Sequence, residues 1–365
     1  MRKLRISLSM IVFTLIAIGI VMVYSSTAIY AWQKYSDSAY FLKRHLFFIF
    51  ISVLCTASVM SFDYRILSKY AKILVLLSLF FLILLQIPGV SREIAGAKRW
   101  FRLFRGLSFQ PSEFANLAVI IYAASFLSRK GLARMEQFSF GFLPVLAVLG
   151  MVNFLVLIQP DLGTVVALSM VVFIMLFIAG ARLRYLNYIF LSTLPFLYLL
   201  IFNVPYRRVR IMAFLNPWAD SLGSGFQLIQ SQVALGCGGI FGRGLGKSLQ
   251  KLFYLPAAHT DFIFSILGEE LGFFATAAVV GLFILLFLYG CKIAKSTRDT
   301  FGAFLSLGII SLLSLKAILN IGVSIGIFPT KGLPLPFISY GGSSLVVDMI
   351  SFGLLLNVAR FAVEP

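Results

Sequence analysis

Ten apolar stretches dominate the sequence, and each is about as long as a helix that crosses a lipid bilayer. A hydrocarbon core of ~30 Å requires ~20 helical residues. We place the stretches, which are bounded by charged residues, proline or glycine, at 7–29, 42–61, 66–87, 111–128, 141–159, 162–179, 185–203, 262–290, 301–326 and 341–361. Only Gln159, Pro160 and Asp161 separate the fifth from the sixth, which predicts a tight reversal between two helices.

The composition agrees with one polytopic, all-α membrane domain that covers residues 1–365. Only 12% of the residues are charged and 60% are hydrophobic, whereas soluble domains carry roughly 25% charged residues. The first apolar run is longer than that of a signal peptide, so we interpret it as an uncleaved span. Two connections are long, 88–110 and the external loop of about 204–261, and neither is expected to fold separately. The three cysteines have no spacing typical of a disulfide framework or a metal site.

The net charge of +18 has two explanations that the sequence leaves open. With a cytoplasmic N-terminus every inner loop is basic, as the positive-inside rule expects, and an even number of spans puts both termini inside. The two long connections are then external, yet they also carry many Lys and Arg residues. These cations either contact lipid headgroups or form an external site for a large anionic ligand. The long apolar runs exclude a basic tail that binds nucleic acid.

Acidic residues at the ends of spans are candidates for chemistry, because a buried charge is costly unless it is paired or hydrated. Glu113 follows Pro111 in the first turn of span four, and Asp161 precedes span six. Helix-end electrostatics or capping explains either carboxylate as well as a functional role does. Asp261 precedes span eight, where we expect Thr260 to cap the helix and leave Asp261 available.

Four ionisable residues lie deeper in the spans. We expect Lys316 to pair with Glu269 or Glu270, whereas Asp348 has no assigned partner. The glycine-rich segment from Gly236 to Lys247 lacks the spacing of a nucleotide-binding loop. We expect it to be a flexible or re-entrant segment that lines a hydrated cavity.

Six motifs carry a resemblance to a known family. They are GAKRWF (96–101), QPSEFANLA (110–118), QPDLGT (159–164), RRVRIMAFLNPWADSLGSGFQLIQS (207–231), GGIFGRGLGKSLQKLFYLPAAHTDFIFSILGEELGF (238–273) and NIGVSIGIFPTKGLPLPFISYGGSS (320–344). The sequence resembles the SEDS family (shape, elongation, division and sporulation), and within it the FtsW and SpoVE members more than the RodA members. It departs from the usual family residues at Asn116, Cys237, Ala257 and Lys316.

The resemblance implies a peptidoglycan glycosyltransferase, a hexosyltransferase that polymerises lipid II into β-1,4 glycan on the outer face of the bacterial cytoplasmic membrane during cell division. It implies lipid II and the nascent glycan as ligands and a class B penicillin-binding protein transpeptidase, other division proteins and membrane lipids as partners. Conversion of an α-linked pyrophosphate donor into a β-linkage is a single inverting displacement. Since pyrophosphate is a good leaving group, cations can replace the general acid and one carboxylate base suffices.

Together with the positions of the residues, the resemblance assigns Asp261 as the candidate base. Glu113 and His259 are further catalytic candidates, although a structural role explains His259 equally well. The candidate substrate-binding residues are Lys98, Arg99, Asp161, Arg207, Arg208, Arg210 and Lys331. No cofactor is firmly implied; a divalent cation, Mg²⁺ or Mn²⁺, could assist the cations, but no motif identifies its ligands. The alternatives are a transporter that flips lipid II and a noncatalytic division scaffold.

Overall fold

The computed structural model describes residues 1–89, 91–94, 97–102, 108–129, 143–252, 254–330 and 332–362. Within these residues the chain forms twelve α-helices: α1 (Arg2–Tyr35), α2 (Tyr40–Ser61), α3 (Ile66–Leu84), α4 (Pro111–Ser128), α5 (Leu143–Ile158), α6 (Leu162–Ile178), α7 (Leu183–Phe202), α8 (Pro205–Leu215), α9 (Phe226–Gly238), α10 (Ile263–Ser296), α11 (Thr300–Ile325) and α12 (Gly342–Phe361). A helix lies at each of the ten predicted spans, and the all-α membrane fold is confirmed.

Seven of these helices are long and apolar enough to cross a membrane: α1, α2, α3, α7, α10, α11 and α12. Helices α5 and α6 are shorter, with 16 and 17 residues, and the reversal between them occupies three residues as predicted. Helices α11 and α12 are largely buried at the centre of the bundle, where α12 packs on α2 and α11 packs on α10 and α4. Only 6% of the apolar stretch of α7 is buried against the rest of the protein, which suits a lipid-facing position at the periphery.

The connection from residue 88 to residue 110 contains a small antiparallel sheet that the sequence analysis did not predict. Its strands, β1 (Ser91–Ile94), β2 (Ala97–Arg102) and β3 (Ser108–Phe109), lie in the order β1-β2-β3. Phe101 and Phe109 are paired across β2 and β3, and both rings contact Phe81 of α3. These aromatic contacts hold the sheet against the end of the bundle.

The long connection from residue 204 to residue 261 is also folded. Helix α8 buries none of its side chains, and a short 3₁₀ helix (Pro217–Asp220) follows it. Helix α9, in contrast, buries Leu228, Ile229 and Ala234 against the bundle, where it packs on α10 and α11. The connection therefore returns into the bundle before α10 begins.

The glycine-rich segment, which we expected to be flexible or re-entrant, docks on a break in α10. Gly272 adopts φ 77° inside α10, which interrupts the helical hydrogen bonds on both sides. The amides of Arg243 and Gly244 donate to the carbonyls of Glu269 and Glu270, at 3.0 and 2.9 Å. A Cβ at Gly242 or Gly272 would overlap the backbone that faces it. The close contact between the two backbone segments therefore requires glycine at both positions. The backbone of the glycine-rich segment thus satisfies the backbone groups that the break exposes.

Two buried carboxylates, Glu269 and Glu270, hold the chain that follows this segment. The prediction that one of them pairs with Lys316 is wrong. Glu269 accepts hydrogen bonds from the Ser248 hydroxyl and from the Leu249 amide. Glu270 pairs with Lys251 at 2.8 Å and accepts a hydrogen bond from Ser25 of α1. The prediction failed because helix rotation and the path of the connection, which hydropathy does not reveal, decide which cation reaches a buried acid.

The start of α1 and the last turns of α12 lie at one end of the bundle. Arg2 and Arg5 at the start of α1 line a groove together with Met60 of α2 and Leu356 of α12. The opposite end of α1 reaches the long connection, because the Tyr30 ring lies 6.5 Å from the ring of His259. The residues around His259 therefore lie at the end of the bundle opposite the two termini.

Candidate active site

A cavity of about 390 Å³ lies at the end of the bundle opposite the chain termini. Its charged lining within the described residues consists of two carboxylates and three guanidinium groups: Asp161, Asp261, Arg99, Arg207 and Arg210. The strand β2, the turn between α5 and α6, helix α8 and the segments before α10 and α12 each contribute part of the wall. The fold thus brings together residues from five separate parts of the sequence.

Asp261 stands two residues before α10, in a turn that the backbone fixes. The amides of Thr260 and Asp261 both donate to the carbonyl of Ala257, each at 3.1 Å. Ala257 has φ 56°, a left-handed conformation that is strained for a residue with a Cβ. The prediction that Thr260 caps α10 is wrong. Its hydroxyl donates to the carbonyl of Ala257 at 3.2 Å instead. Asp261 is held at the cavity by this turn.

Asn320 of α11 positions the same turn, and the sequence analysis did not identify it. Its side-chain amide donates to the carbonyl of Asp261 at 2.9 Å and to that of Leu333 at 2.8 Å. It thereby ties together two neighbouring segments that both contribute to the cavity lining. A detectable signal was present, because Lys316, Asn320 and Ser324 recur at intervals of four and mark one polar face of an apolar helix.

The Asp261 carboxyl is more basic than an ordinary aspartate. Burial raises its pKa to about 6 and the nearby Asp161 adds to the rise, whereas Arg210, the neighbouring Thr260 and Arg99 oppose it. Desolvation outweighs these stabilising groups because it penalises only the charged form. At neutral pH the group is therefore mostly ionised and still able to accept a proton.

Backbone carbonyls hold the three cavity arginines. Arg99 donates to the carbonyls of Gln159 and Pro160, at 2.9 and 2.5 Å. Arg207 donates to the carbonyl of Leu200 at 3.1 Å.

Arg210 donates to the carbonyl of Thr330 at 3.1 Å, and its guanidinium lies 4.4 Å from the centre of the Tyr206 ring. Among the described residues, none of the three arginines forms an ion pair with a carboxylate. Carbonyls and rings are uncharged, so these partners do not neutralise the arginines, and the nearby Asp261 carboxylate is the acid that Arg99 and Arg210 act on. The arrangement suits a multiply charged anion.

Asp161 has a structural role at the cavity in addition to lining it. It is the N-cap of α6 and accepts hydrogen bonds from the amide and the hydroxyl of Thr164, at 3.3 and 2.9 Å. The capping expected from the sequence is confirmed.

Glu113 lies behind the cavity rather than on its lining. Its carboxylate is 2.6 Å from Lys316, whose ammonium group is also 2.9 Å from Asp348. All three side chains are at most 3% exposed. Ser344, which lines the cavity, donates to Asp348 at 3.3 Å and connects this buried cluster to the site. Glu113 therefore pairs with a buried cation, and it stays a catalytic candidate that does not line the cavity.

The other candidates lie apart from the cavity lining or outside the described residues. His259 packs its ring near Phe41 and Tyr340, at 5.4 and 5.8 Å between centroids, and burial lowers its pKa to about 4. A neutral, enclosed ring of this kind favours its structural interpretation. Arg208 is exposed on α8. Lys331 and the side chain of Lys98 lie outside the described residues.

No cluster of three or more His, Cys, Asp or Glu side chains suited to a metal ion occurs in the part of the chain that the structure describes. Asp161 and Asp261 are the two described carboxylates on the cavity wall. Mg²⁺ commonly takes one or two carboxylates together with substrate phosphates. Asp161 and Asp261 would hold a divalent cation that arrives with a phosphate ligand, and that cation would neutralise negative charge there.

Comparison with known proteins decides the family. A family model described as "Cell cycle protein", FTSW_RODA_SPOVE, matches residues 6–364. The chain belongs to the FtsW/RodA/SpoVE family. The match spans nearly the whole chain, and the resemblance that the motifs carry is confirmed.

Individual members of the FtsW/RodA/SpoVE family are similar along their full length. The probable peptidoglycan glycosyltransferase FtsW of Geobacter metallireducens is 46% identical over 341 residues, covering 93% of this chain and 90% of that protein. Stage V sporulation protein E of Bacillus subtilis is 43% identical over 355 residues, covering 97% and 96%. A chain from a solved structure on the structural coordination of polymerization and crosslinking by a peptidoglycan synthase complex matches with a TM-score of 0.78, 30% identity and 98% coverage of both chains.

Proposed function

We propose that this chain is a peptidoglycan glycosyltransferase that polymerises lipid II into β-1,4 glycan, with Asp261 as the general base. One observation carries the proposal: a carboxylate of raised pKa and three arginines without a carboxylate partner among the described residues line one cavity. A base and a cationic cradle are what an inverting transfer from a pyrophosphate requires. The relatives named as peptidoglycan glycosyltransferases support the same reaction.

The reaction is a single displacement at the anomeric carbon of the donor sugar. The 4-hydroxyl oxygen of the acceptor forms the new bond to that carbon as the bond to the pyrophosphate oxygen breaks. The hydroxyl proton passes to the Asp261 carboxylate, and the electron pair of the broken bond leaves with the pyrophosphate. Arg99, Arg207 and Arg210 stabilise the growing negative charge without donating a proton to it. Inversion of the α-linked donor yields the β-linked product.

The partly buried position of Asp261 supports this assignment. An aspartate of ordinary pKa 3.8 is a weak base at neutral pH, whereas a pKa of about 6 lies closer to the working pH. Asn320 and the turn at Ala257 hold the backbone of Asp261 on two sides, so the carboxylate approaches the acceptor in a fixed position. Fixed positioning removes much of the entropic barrier to the transfer.

We further propose that the cavity faces the outside of the cytoplasmic membrane and that both termini are cytoplasmic. The basic inner loops and the placement of the termini opposite the cavity support this orientation. The partner is a class B penicillin-binding protein at the division septum, in line with the similarity to a chain of a peptidoglycan synthase complex. Lys98, Arg208 and Lys331 stay candidates for contacts with the lipid-linked pyrophosphate.

The test is glycan synthesis from purified lipid II by the Asp261→Asn variant, with and without the partner protein. The substitution keeps the size of the side chain and removes the base, so the rate should fall by ~10²–10⁴-fold. Asp220→Asn is the matched control, because Asp220 is exposed and does not line the cavity.

Near-normal polymerisation by Asp261→Asn, with contaminating polymerases excluded, would refute the assignment. Wild-type protein that synthesises no glycan with its partner but moves lipid II across vesicles would instead identify a transporter. Wild-type protein that does neither while binding its partner would identify a scaffold.

A further inference from the structure

A continuous series of aromatic rings leads from the cavity to the end of α1. Tyr340 lines the cavity, and its ring lies 5.4 Å from that of Phe41. Phe41 contacts Tyr40 at 5.3 Å, and Tyr40 stacks on Tyr35 at 4.0 Å with 13° between the planes. We name Tyr35, Tyr40, Phe41 and Tyr340 the aromatic shelf.

Neighbouring groups fix the rings of the shelf. His259 packs against Phe41 and Tyr340, and its neutral ring adds apolar surface rather than charge. The Tyr40 hydroxyl accepts a hydrogen bond from Arg44 at 3.0 Å. The main-chain amide of Tyr340 donates to the carbonyl of His259 at 3.0 Å, which joins the shelf to the turn that carries Asp261. The shelf is therefore an ordered extension of the cavity wall.

Single aromatic residues at a membrane interface commonly anchor a protein among the lipid headgroups. Trp32, one turn before the end of α1 and 63% exposed, suits that role. The aromatic shelf differs because its rings contact one another, as one stacked pair and two edge-to-face pairs, and continue the wall of a charged cavity. Tyr35 nevertheless stays 42% exposed, so the outer end of the series presents aromatic surface to a ligand.

We propose that the aromatic shelf binds the carbohydrate of the glycan strand next to the reacting sugars; this proposal rests on the proposed function. Sugar rings present apolar C–H faces that pack on aromatic side chains, and tyrosine adds a hydroxyl for hydrogen bonding. Lys34 lies 5.8 Å from the centre of the Tyr35 ring. Together with Arg44 it places positive charge beside the shelf, which suits the carboxylates of the peptide stems on such a strand. The shelf would hold the strand between successive transfers.

The test measures binding of a soluble peptidoglycan tetrasaccharide, free of lipid and pyrophosphate, to the detergent-purified full chain. Saturation-transfer NMR reports contact with the sugar protons and does not depend on catalysis. Tyr35→Ala combined with Tyr40→Ala should raise the Kd by roughly three- to tenfold. Tyr35→Phe combined with Tyr40→Phe keeps the rings and should restore most of the affinity. Trp32→Ala is the matched control for an exposed aromatic side chain at the same end of α1.

A tetrasaccharide that binds the double alanine variant as tightly as wild type would overturn the proposal. Equal weakening by Trp32→Ala would also overturn it, in favour of a general role in the membrane interface. The single Tyr35→Ala variant answers the same question if the double variant does not fold, because Tyr35 is 42% exposed and its loss leaves the core of the bundle intact. A second measurement is the length of glycan made from lipid II, which should fall in the alanine variants. Absence of any wild-type polymerisation would refute the proposed function. The binding measurement does not require catalysis, so it tests the aromatic shelf separately.

Discussion

Removal of the buried cation at Lys316 should destabilise the protein more than removal of either of its acidic partners. Lys316 is 1% exposed and lies 2.6 Å from Glu113 and 2.9 Å from Asp348. Lys316→Met leaves two buried carboxylates without a counterion, and breaking a buried pair in this way costs about 3–5 kcal/mol. Asp348→Asn, in contrast, leaves Lys316 with one carboxylate and a neutral pair, so its cost should be smaller.

The assay is thermal or denaturant unfolding of the detergent-purified protein, followed by intrinsic tryptophan fluorescence. Lys43→Met is the matched control. Lys43 also pairs with an aspartate, Asp37, at 2.8 Å, but the two side chains are 68% and 36% exposed. An exposed pair contributes about 0–1 kcal/mol, so this variant should unfold close to wild type.

The triple variant Lys316→Met, Glu113→Gln and Asp348→Asn removes every charge of the cluster and should recover much of the lost stability. If Lys316→Met unfolds at the same temperature or denaturant concentration as Lys43→Met, the buried cluster does not stabilise the fold and the reasoning fails.

Two further predictions concern the cavity. Because burial raises the pKa of Asp261 to about 6 from 3.8, ionisation of Asp261 destabilises the folded protein as the pH rises through about 6. Asp261→Asn should therefore unfold at a higher temperature than wild type at pH 7.5, with the gap closing toward pH 4; a constant gap would contradict the raised pKa. In a variant without native cysteines, a membrane-impermeant thiol reagent applied to intact cells should label a cysteine introduced at Ser221 and not one introduced at Ser296, and the reverse pattern would place the cavity inside.

Much of the architecture follows from the order of apolar segments. Burial of apolar surface in a bilayer depends mainly on local composition and length, so each predicted span corresponds to a helix. The alternation of spans also predicts which helix ends share a side of the membrane. For this reason Asp161, Asp261 and the arginines of two distant connections could be assigned to one end of the bundle before their distances were known.

The partners of the buried charges could not be obtained in the same way. Lys316 pairs with Glu113 and Asp348 rather than with Glu269 or Glu270. Because of this pairing, the Glu113 carboxylate does not line the cavity. Such pairings depend on how helices that are far apart in sequence are rotated and how they cross. The hydropathy of the sequence does not determine either the rotation or the crossing.

The details of the site depend on long-range contacts as well. The amide of Asn320 reaches the carbonyl of Asp261 across 59 positions of sequence, and the glycine-rich segment closes the break at Gly272. Each contact satisfies a polar group that has lost water, and its partner can come from any part of the chain that packs nearby. The sequence therefore specifies the membrane fold and the end of the bundle that carries the charges, whereas packing decides which charges meet and which face the cavity.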